Sequence, residues 1–274
     1  MKSGFTQCWK QRYIWIFIMR LVVLWVVRLL SWLYRIIPGK VRGGIVFGLL
    51  MMESRIGAPA QSLPRLYAIK DNLERLLSER AMAYEGGEHP KHRLMMYHDF
   101  FIKNISPNSV VVDIGCGYGA VARSVAANVP GCRVIGVEMD EARYEQAVAS
   151  RNPDNLHFVF GDAFEVLPEE TADTVILSNV LEHIEDRQGF LRRIVEVLSP
   201  SQILIRVPAF EREWHVPMRK ELGITYFNDR THFIEHTVHE FEKEMSDADI
   251  EIASLGTTWG EIWAVCLPMV RKEH

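Results

Sequence analysis

Val110-Val111-Val112-Asp113-Ile114-Gly115-Cys116-Gly117-Tyr118-Gly119 is the stretch on which the fold turns. A β-branched run of this kind reads as a strand buried in a parallel sheet. It ends in glycines at three alternate positions, and a helix-like segment, Ala120 to Asn128, follows. Strand, glycine turn and helix in that order let a backbone approach a nucleotide-like ligand closely. The spacing is G-x-G-x-G and not the G-x-G-x-x-G of dinucleotide sites, which points away from a pyrophosphate.

Further strands follow at regular intervals. Arg133-Val134-Ile135-Gly136-Val137-Glu138 ends in an acid 23 positions after Gly115. In a βαβ unit that carboxylate stands at the tip of the second strand, beside the glycine turn, where it can accept both ribose hydroxyls. Leu156–Phe160 runs into Gly161-Asp162-Ala163, and Thr174–Leu177 into Ser178-Asn179-Val180-Leu181-Glu182-His183-Ile184. A helix over Arg187–Leu198 and a strand over Gln202–Val207 complete the alternation.

Asp113 with its D-x-G-x-G run, the acid at Glu138, the G-D-A at Asp162 and the V-L-E-H segment resemble, in this order, the motifs of class I S-adenosylmethionine-dependent methyltransferases. The resemblance covers residues 110 to 207. It implies an α/β fold: a Rossmann-like, seven-stranded, mostly parallel sheet with helices on both faces. It implies S-adenosyl-L-methionine as cofactor, held by Asp113, Gly115, Gly117, Gly119, Glu138, Asp162, Ala163 and Asn179, with Asp162 and the next backbone N–H reading the adenine edge.

Charge is unevenly distributed along the 274 residues. Residues 1–42 hold eight Lys or Arg and no acid, and the remainder carries 23 basic and 35 acidic residues. The basic end predicts contact with an anionic surface, and the acidic body argues against nucleic acid as a partner. Four scattered cysteines with no C-x-x-C pair fit a reducing compartment.

Tyr13–Ile37 holds fifteen Ile, Leu, Val or Phe residues with Trp15, Trp25 and Trp32, interrupted by Arg20, Arg28 and Arg35. As a spanning helix its apolar residues contribute roughly −4 to −9 kcal/mol and two central arginines cost roughly +5 to +7 kcal/mol. A helix lying in the interface keeps its arginines at the headgroups and avoids that cost. The reading preferred here is the interfacial helix, with a single span and a helix packed on the domain or a second subunit as alternatives. A signal peptide is disfavoured by Arg20 and the lack of a cleavage site. Gly43–Met52 reads as a re-entrant or interfacial piece. Ser62 to Ala83 reads as an amphipathic helix that packs through Leu66, Ile69, Leu73, Leu76 and Leu77. The expected organisation is a membrane-associating segment over 1–60, a helical lid over 61–100 and the methyltransferase domain over 101–274, on the cytoplasmic side of a membrane. The sequence leaves the oligomeric state open.

Adenosylmethionine is already activated, so the protein mainly aligns the acceptor and removes a proton. His183 follows the fourth strand at the sheet edge. His232 follows a long insertion, Pro208 to Thr231, that carries Trp214, His215, Arg219, Lys220 and Tyr226. These two histidines are the catalytic candidates. The quinone O-methyltransferases carry Glu-x-x-Glu-His, able to hold a divalent metal, where this chain has Asn179 to His183. An amide is a poorer ligand for a hard cation, so no metal is expected. The resemblance implies methyl transfer to a hydroxyl of a small-molecule, lipid-linked or glycan acceptor at the membrane surface. The alternatives are a quinone or polyprenyl-phenol O-methyltransferase and a non-catalytic scaffold of the same fold.

Overall fold

The computed structural model describes residues 31, 34–87, 89–168, 170–227 and 229–269. The chain divides into two compact units, Met1–Glu74 and Arg75–His274. The segment Tyr13–Ile37 lies almost wholly outside the described residues.

In the first unit, α1 (Gly39–Ser54) has no buried residue, and Ile45, Phe47, Leu49 and Met52 are exposed. Among the described residues no helix is long and apolar enough to cross a membrane. Arg65 pairs with Glu53 and donates to the Ile56 carbonyl at 2.6 Å, tying α1 to the helix that follows. That helix, α2 (Pro59–Tyr84), realises the helix expected over Ser62 to Ala83. The packing assigned to its leucines is corrected: Leu73, Leu76 and Leu77 are each more than half exposed. Helical spacing identifies a face but not what covers it.

The second unit runs α3 (Lys91–Met95), α4 (His98–Asn104), β1 (Val110–Ile114), α5 (Ala120–Asn128), β2 (Arg133–Glu138), α6 (Glu141–Ala149), β3 (Leu156–Phe160), α7 (Ala163–Val166) and β4 (Thr174–Ser178). A short 3-10 turn over Leu181–His183 precedes α8 (Arg187–Leu198) and β5 (Gln202–Pro208). The chain continues through α9 (His215–Glu221) and α10 (Val238–Asp247) into the hairpin of β6 (Ile250–Thr258) and β7 (Glu261–Pro268). The sheet has seven strands in the order β3-β2-β1-β4-β5-β7-β6, with β7 antiparallel to both neighbours. Strand order reverses between β1 and β4, and ligands of open α/β sheets bind at the carboxyl ends of strands at such a point.

Alternation along the strands sorts the core into two layers. Val112, Ile114, Val175, Leu177, Ile203 and Ile205 pack with Phe190 and Leu191 of α8 and Phe241 and Met245 of α10. Val111, Ile176 and Leu204 pack on the opposite side with Phe101 of α4 and Val121 and Val125 of α5. Burial on both faces is why these strands read as continuous β-branched runs. Asp113 and Arg206 share the parity of Val111 and Leu204, so two charged groups stand on the α4–α5 side. The helix expected near Thr237 begins there: Thr237 Oγ1 accepts from Glu240 N–H at 3.1 Å, and Glu240 Oε2 accepts from Thr237 N–H at 2.9 Å.

Candidate active site

The glycine loop leaves β1 with Cys116 N–H donating to the Val137 carbonyl at 3.0 Å. Gly117 has φ +57, and nothing lies within 4 Å of where a Cβ would stand. The loop therefore opens space at this position and uses a backbone that other residues rarely adopt. Gly117 N–H donates to Glu138 Oε2 at 2.7 Å, and Asp140 N–H donates to Glu138 Oε1 at 2.8 Å. Each oxygen keeps a second lone pair for a ligand hydroxyl. β2 and β3 pair in parallel with Glu138 opposite Phe160, and Gly161 N–H donates to the Glu138 carbonyl at 3.0 Å. This sets Glu138 and Asp162 at adjoining strand ends, as the spacing implied. Asp162 Oδ1 accepts from Phe164 N–H at 2.9 Å, so it also caps the turn that begins at Ala163. Asp113, below the loop, is 1% exposed, its Oδ2 lacks a hydrogen-bond partner, and burial pushes its carboxyl up to about 7.

Asn179 follows β4 with φ +58, a conformation that asparagine tolerates better than most residues. Its side chain is engaged by protein groups: Oδ1 accepts from Arg206 Nε at 2.9 Å, and Nδ2 donates to Glu182 Oε1 at 3.0 Å. Its geometry is that of a bridge within the site wall. Glu182 is fully buried with Oε2 unpartnered, and burial raises its carboxyl to about 7 against the opposing effects of Asn179 and His232.

The insertion folds back onto the turn at Leu181–His183. Phe233 N–H donates to the Glu182 carbonyl at 2.8 Å, and the rings of His183 and His232 meet edge to face with centroids 4.6 Å apart. Thr231 Oγ1 donates to Asp229 Oδ1 at 2.8 Å and lies 2.8 Å from His183 Nδ1. With its one proton so directed, the hydroxyl accepts from His183 Nδ1–H. His232 Nδ1 lies 3.2 Å from Glu235 Oε1, and Glu235 is buried and paired with Arg212. Donation from Nδ1–H to these partners would leave each Nε2 with its lone pair. Burial, followed by the neighbouring His232, holds the His183 pKa below its ordinary value.

Residues 112–205 match the family model described as a methyltransferase domain. Residues 112–205 thus form a methyltransferase domain by this match, over the same stretch that carries the motifs resembling the class I S-adenosylmethionine-dependent type. The carboxy-S-adenosyl-L-methionine synthase of Klebsiella pneumoniae (strain 342) is 29% identical over 157 residues, covering 54% of this chain and 58% of that protein. The trans-aconitate 2-methyltransferase of Methylobacterium radiotolerans is 34% identical over 95 residues, covering 35% of this chain and 36% of that one. The chain thus spans little more than half the length of the first of these relatives. Among solved structures, a complex between the Haloferax volcanii Trm112 methyltransferase activator and a methyltransferase matches with a TM-score of 0.54. It is 18% identical and covers 69% of this chain and 96% of that one, a likeness of fold.

In this methyltransferase domain the cofactor is S-adenosylmethionine. The open space at Gly117 and the two acids at the ends of β2 and β3 suit a nucleoside with a diol and an amino edge. The catalytic candidates His183 and His232 are brought together from positions 49 apart in sequence. Glu182, His183 and His232 also bring one ligand atom each within 4.8 Å of one another. The expectation of no metal rested on the amide at Asn179, and the third donor of this group is His232, just after the insertion. Sequence reasoning passed over Glu235 and Arg206. The legible signals were an acid three residues after His232 and an arginine inside an apolar strand.

Gly117→Val fills the open space and strains the loop, and should weaken S-adenosylhomocysteine binding by about 10- to 100-fold in calorimetry. Unchanged affinity would remove Gly117 from the cofactor site. A carboxyl whose pKa is higher folded than unfolded makes the folded state bind more protons between the two values, so stability falls there as pH rises. Relative to Asp113→Asn, the cofactor-free protein should lose about 1.4 kcal/mol per pH unit between about pH 4 and 7. Urea unfolding across that range reads the difference, and a constant gap would mean that Asp113 ionises normally.

Proposed function

We propose that this protein transfers the methyl group of S-adenosylmethionine to a hydroxyl of a lipid-linked or glycan acceptor at a membrane surface. The observation that carries the chemistry is the pair of imidazoles, His183 and His232, in edge-to-face contact at the carboxyl edge of the sheet, each with Nδ1 beside an oxygen of Thr231 or Glu235. S-adenosylmethionine, held by the glycine loop, Glu138 and Asp162, would supply an activated methyl group to the acceptor oxygen, with its sulfur keeping the electrons of the broken carbon–sulfur bond. The hydroxyl proton passes to a basic Nε2. His232 is the stronger candidate because Glu235 orients it and steadies the imidazolium that forms. The membrane part of the reading is supported by the acid-free residues 1–42 and by the exposed apolar surface of α1. Mass spectrometry of lipid and polysaccharide extracts with and without the gene tests the acceptor class. A species heavier by the mass of one methylene, present only with the gene, is the expected result.

A second reading, a quinone or polyprenyl-phenol O-methyltransferase, is favoured by the convergence of Glu182, His183 and His232. Those three residues would hold a divalent cation, which could polarise an acceptor oxygen. Stoichiometric Mn2+ binding that is lost in Glu182→Gln would favour it. A non-catalytic scaffold predicts no saturable heat on titration with S-adenosylhomocysteine.

His232→Ala should lower turnover by about 10²- to 10⁴-fold while changing cofactor affinity far less. His183→Ala belongs in the same assay, and near-full turnover in both variants would leave alignment alone to drive the reaction. The full-length protein should sediment with anionic vesicles, and the triple variant Arg20→Glu, Arg28→Glu, Arg35→Glu should stay in solution. Indifference of the wild-type protein to vesicles would overturn the membrane reading.

A further inference from the structure

Arg206 stands on β5 opposite Ser178 of β4 and Trp263 of β7, and is 5% exposed. A guanidinium offers five N–H donors in a rigid planar fork. One edge is occupied: Nε donates to Asn179 Oδ1 at 2.9 Å and lies 2.9 Å from Glu261 Oε2, and Nη2 donates to Asn179 as well. Nη1 is buried and has no hydrogen-bond partner. The plane is fixed by rings, with the Tyr97 centroid 4.0 Å and the Trp263 centroid 5.6 Å from Cζ. Tyr97 is itself held, its hydroxyl 2.6 Å from His92 Nδ1. A charged donor kept rigid, buried and half-used is costly unless a ligand completes it.

The charges around Arg206 favour an anion. Lys91 of α3 is within electrostatic reach, and its ammonium is held below the usual range by desolvation and then by Arg206. Burial drives His98 down to about 4, so it adds no charge. Burial raises the Glu261 carboxyl against the pull of Arg206, and raises Asp113 and Glu182 to about 7. Of these carboxyls only Glu261 is in ion-pair contact with Arg206, on its occupied edge, which leaves Nη1 without an anionic partner. The sheet order assigns the ligand end. Gly117, Glu138 and Asp162 follow β1, β2 and β3, whereas Arg206 stands on β5, two strand spacings or about 10 Å beyond β1. Arg206 thus lies away from the three strand ends proposed for the cofactor, on the side they leave for an acceptor.

We propose that Arg206, with Lys91 beside it, receives an oxyanion of the methyl acceptor, so that the acceptor is a hydroxyl compound bearing a carboxylate or a phosphate. This rests on the methyl-transfer reading above. An acidic sugar and the phosphate of a lipid-linked headgroup share that chemistry, and both match the planar fork that Nη1 completes.

The test uses the full chain loaded with S-adenosylhomocysteine and titrated with glucuronate, glucose 1-phosphate and neutral glucose. The acids should bind saturably and glucose should not; preference between the two acids separates the carboxylate source from the phosphate source. Lys91→Gln should weaken the acid probe. The paired variant Arg206→Gln, Glu261→Gln, which leaves no buried charge unpaired, should weaken it by about tenfold or more. Equal binding of acids by wild type and variants, or no binding of either acid, overturns the proposal. It is also overturned if the paired variant loses affinity for S-adenosylhomocysteine but not for its decarboxylated analogue, because Arg206 would then serve the cofactor's own carboxylate. A wild-type protein that shows no saturable S-adenosylhomocysteine binding fails the methyl-transfer reading instead, and thermal unfolding of each variant separates lost binding from lost fold.

Discussion

The amide of Asn179 holds the site wall together. Its backbone N–H donates to the Arg206 carbonyl at 2.8 Å, carrying the β4–β5 pairing one residue past the strand. Its side chain then joins a buried guanidinium to a buried carboxyl, accepting from Arg206 and donating to Glu182. Buried charges survive only when hydrogen-bonded, so this bridge lets β5 carry an arginine where its neighbours are Ile205 and Val207. The effect propagates. Glu182 fixes the turn that presents His183, and its carbonyl receives Phe233 N–H, the residue beside His232. Strand end, turn and insertion are thus registered to one another through a single side chain held in a left-handed backbone.

Much of this architecture could be read from the sequence because it is written in short-range signals. The apolar runs of β1, β4 and β5 are buried on both faces, so each of these strands declares itself without reference to its partners. Gly117 and Glu138 are readable for a similar reason, since a βαβ unit converts a separation along the chain into a fixed distance in space. The insertion follows no such rule. Arg212 meets Glu235 across 23 residues and His183 meets Thr231 across 48. Neither contact has a period, so the tethering of both imidazoles was invisible even though His183 and His232 were singled out. The place of Asn179 after β4 is legible in the sequence, whereas its side-chain partners Arg206 and Glu182 are not. The leucines of α2 show the opposite failure: their spacing is regular, yet Leu73, Leu76 and Leu77 are exposed.

The two core layers also explain where polarity can enter the domain. Above Ile114 and Leu177 the apolar layers end and the strand ends take over, and there the sheet gathers Glu138, Asn179 and the turn at Glu182. Asp113 and Arg206 lie within the strands themselves, on the side of α4 and α5, and their ionisation is governed by what covers them. The segment Lys91 to Asn104 therefore does more than close a layer. Tyr97 sets the plane of Arg206, and Phe101 fills the core beneath it.

Cys116 lies in the middle of the glycine loop, and the protein renders it chemically quiet. Burial, reinforced by Asp113 and Glu138, pushes its thiol far above the ordinary range. Burial likewise raises Cys132 and lifts Cys266 to about 12. Oxidants and alkylating agents attack the thiolate, and at neutral pH these three sulfurs are almost entirely protonated. Redox stress therefore finds a weaker handle among the described cysteines than an ordinary exposed thiol would offer, and the glycine loop is correspondingly insulated from the thiol chemistry of its surroundings.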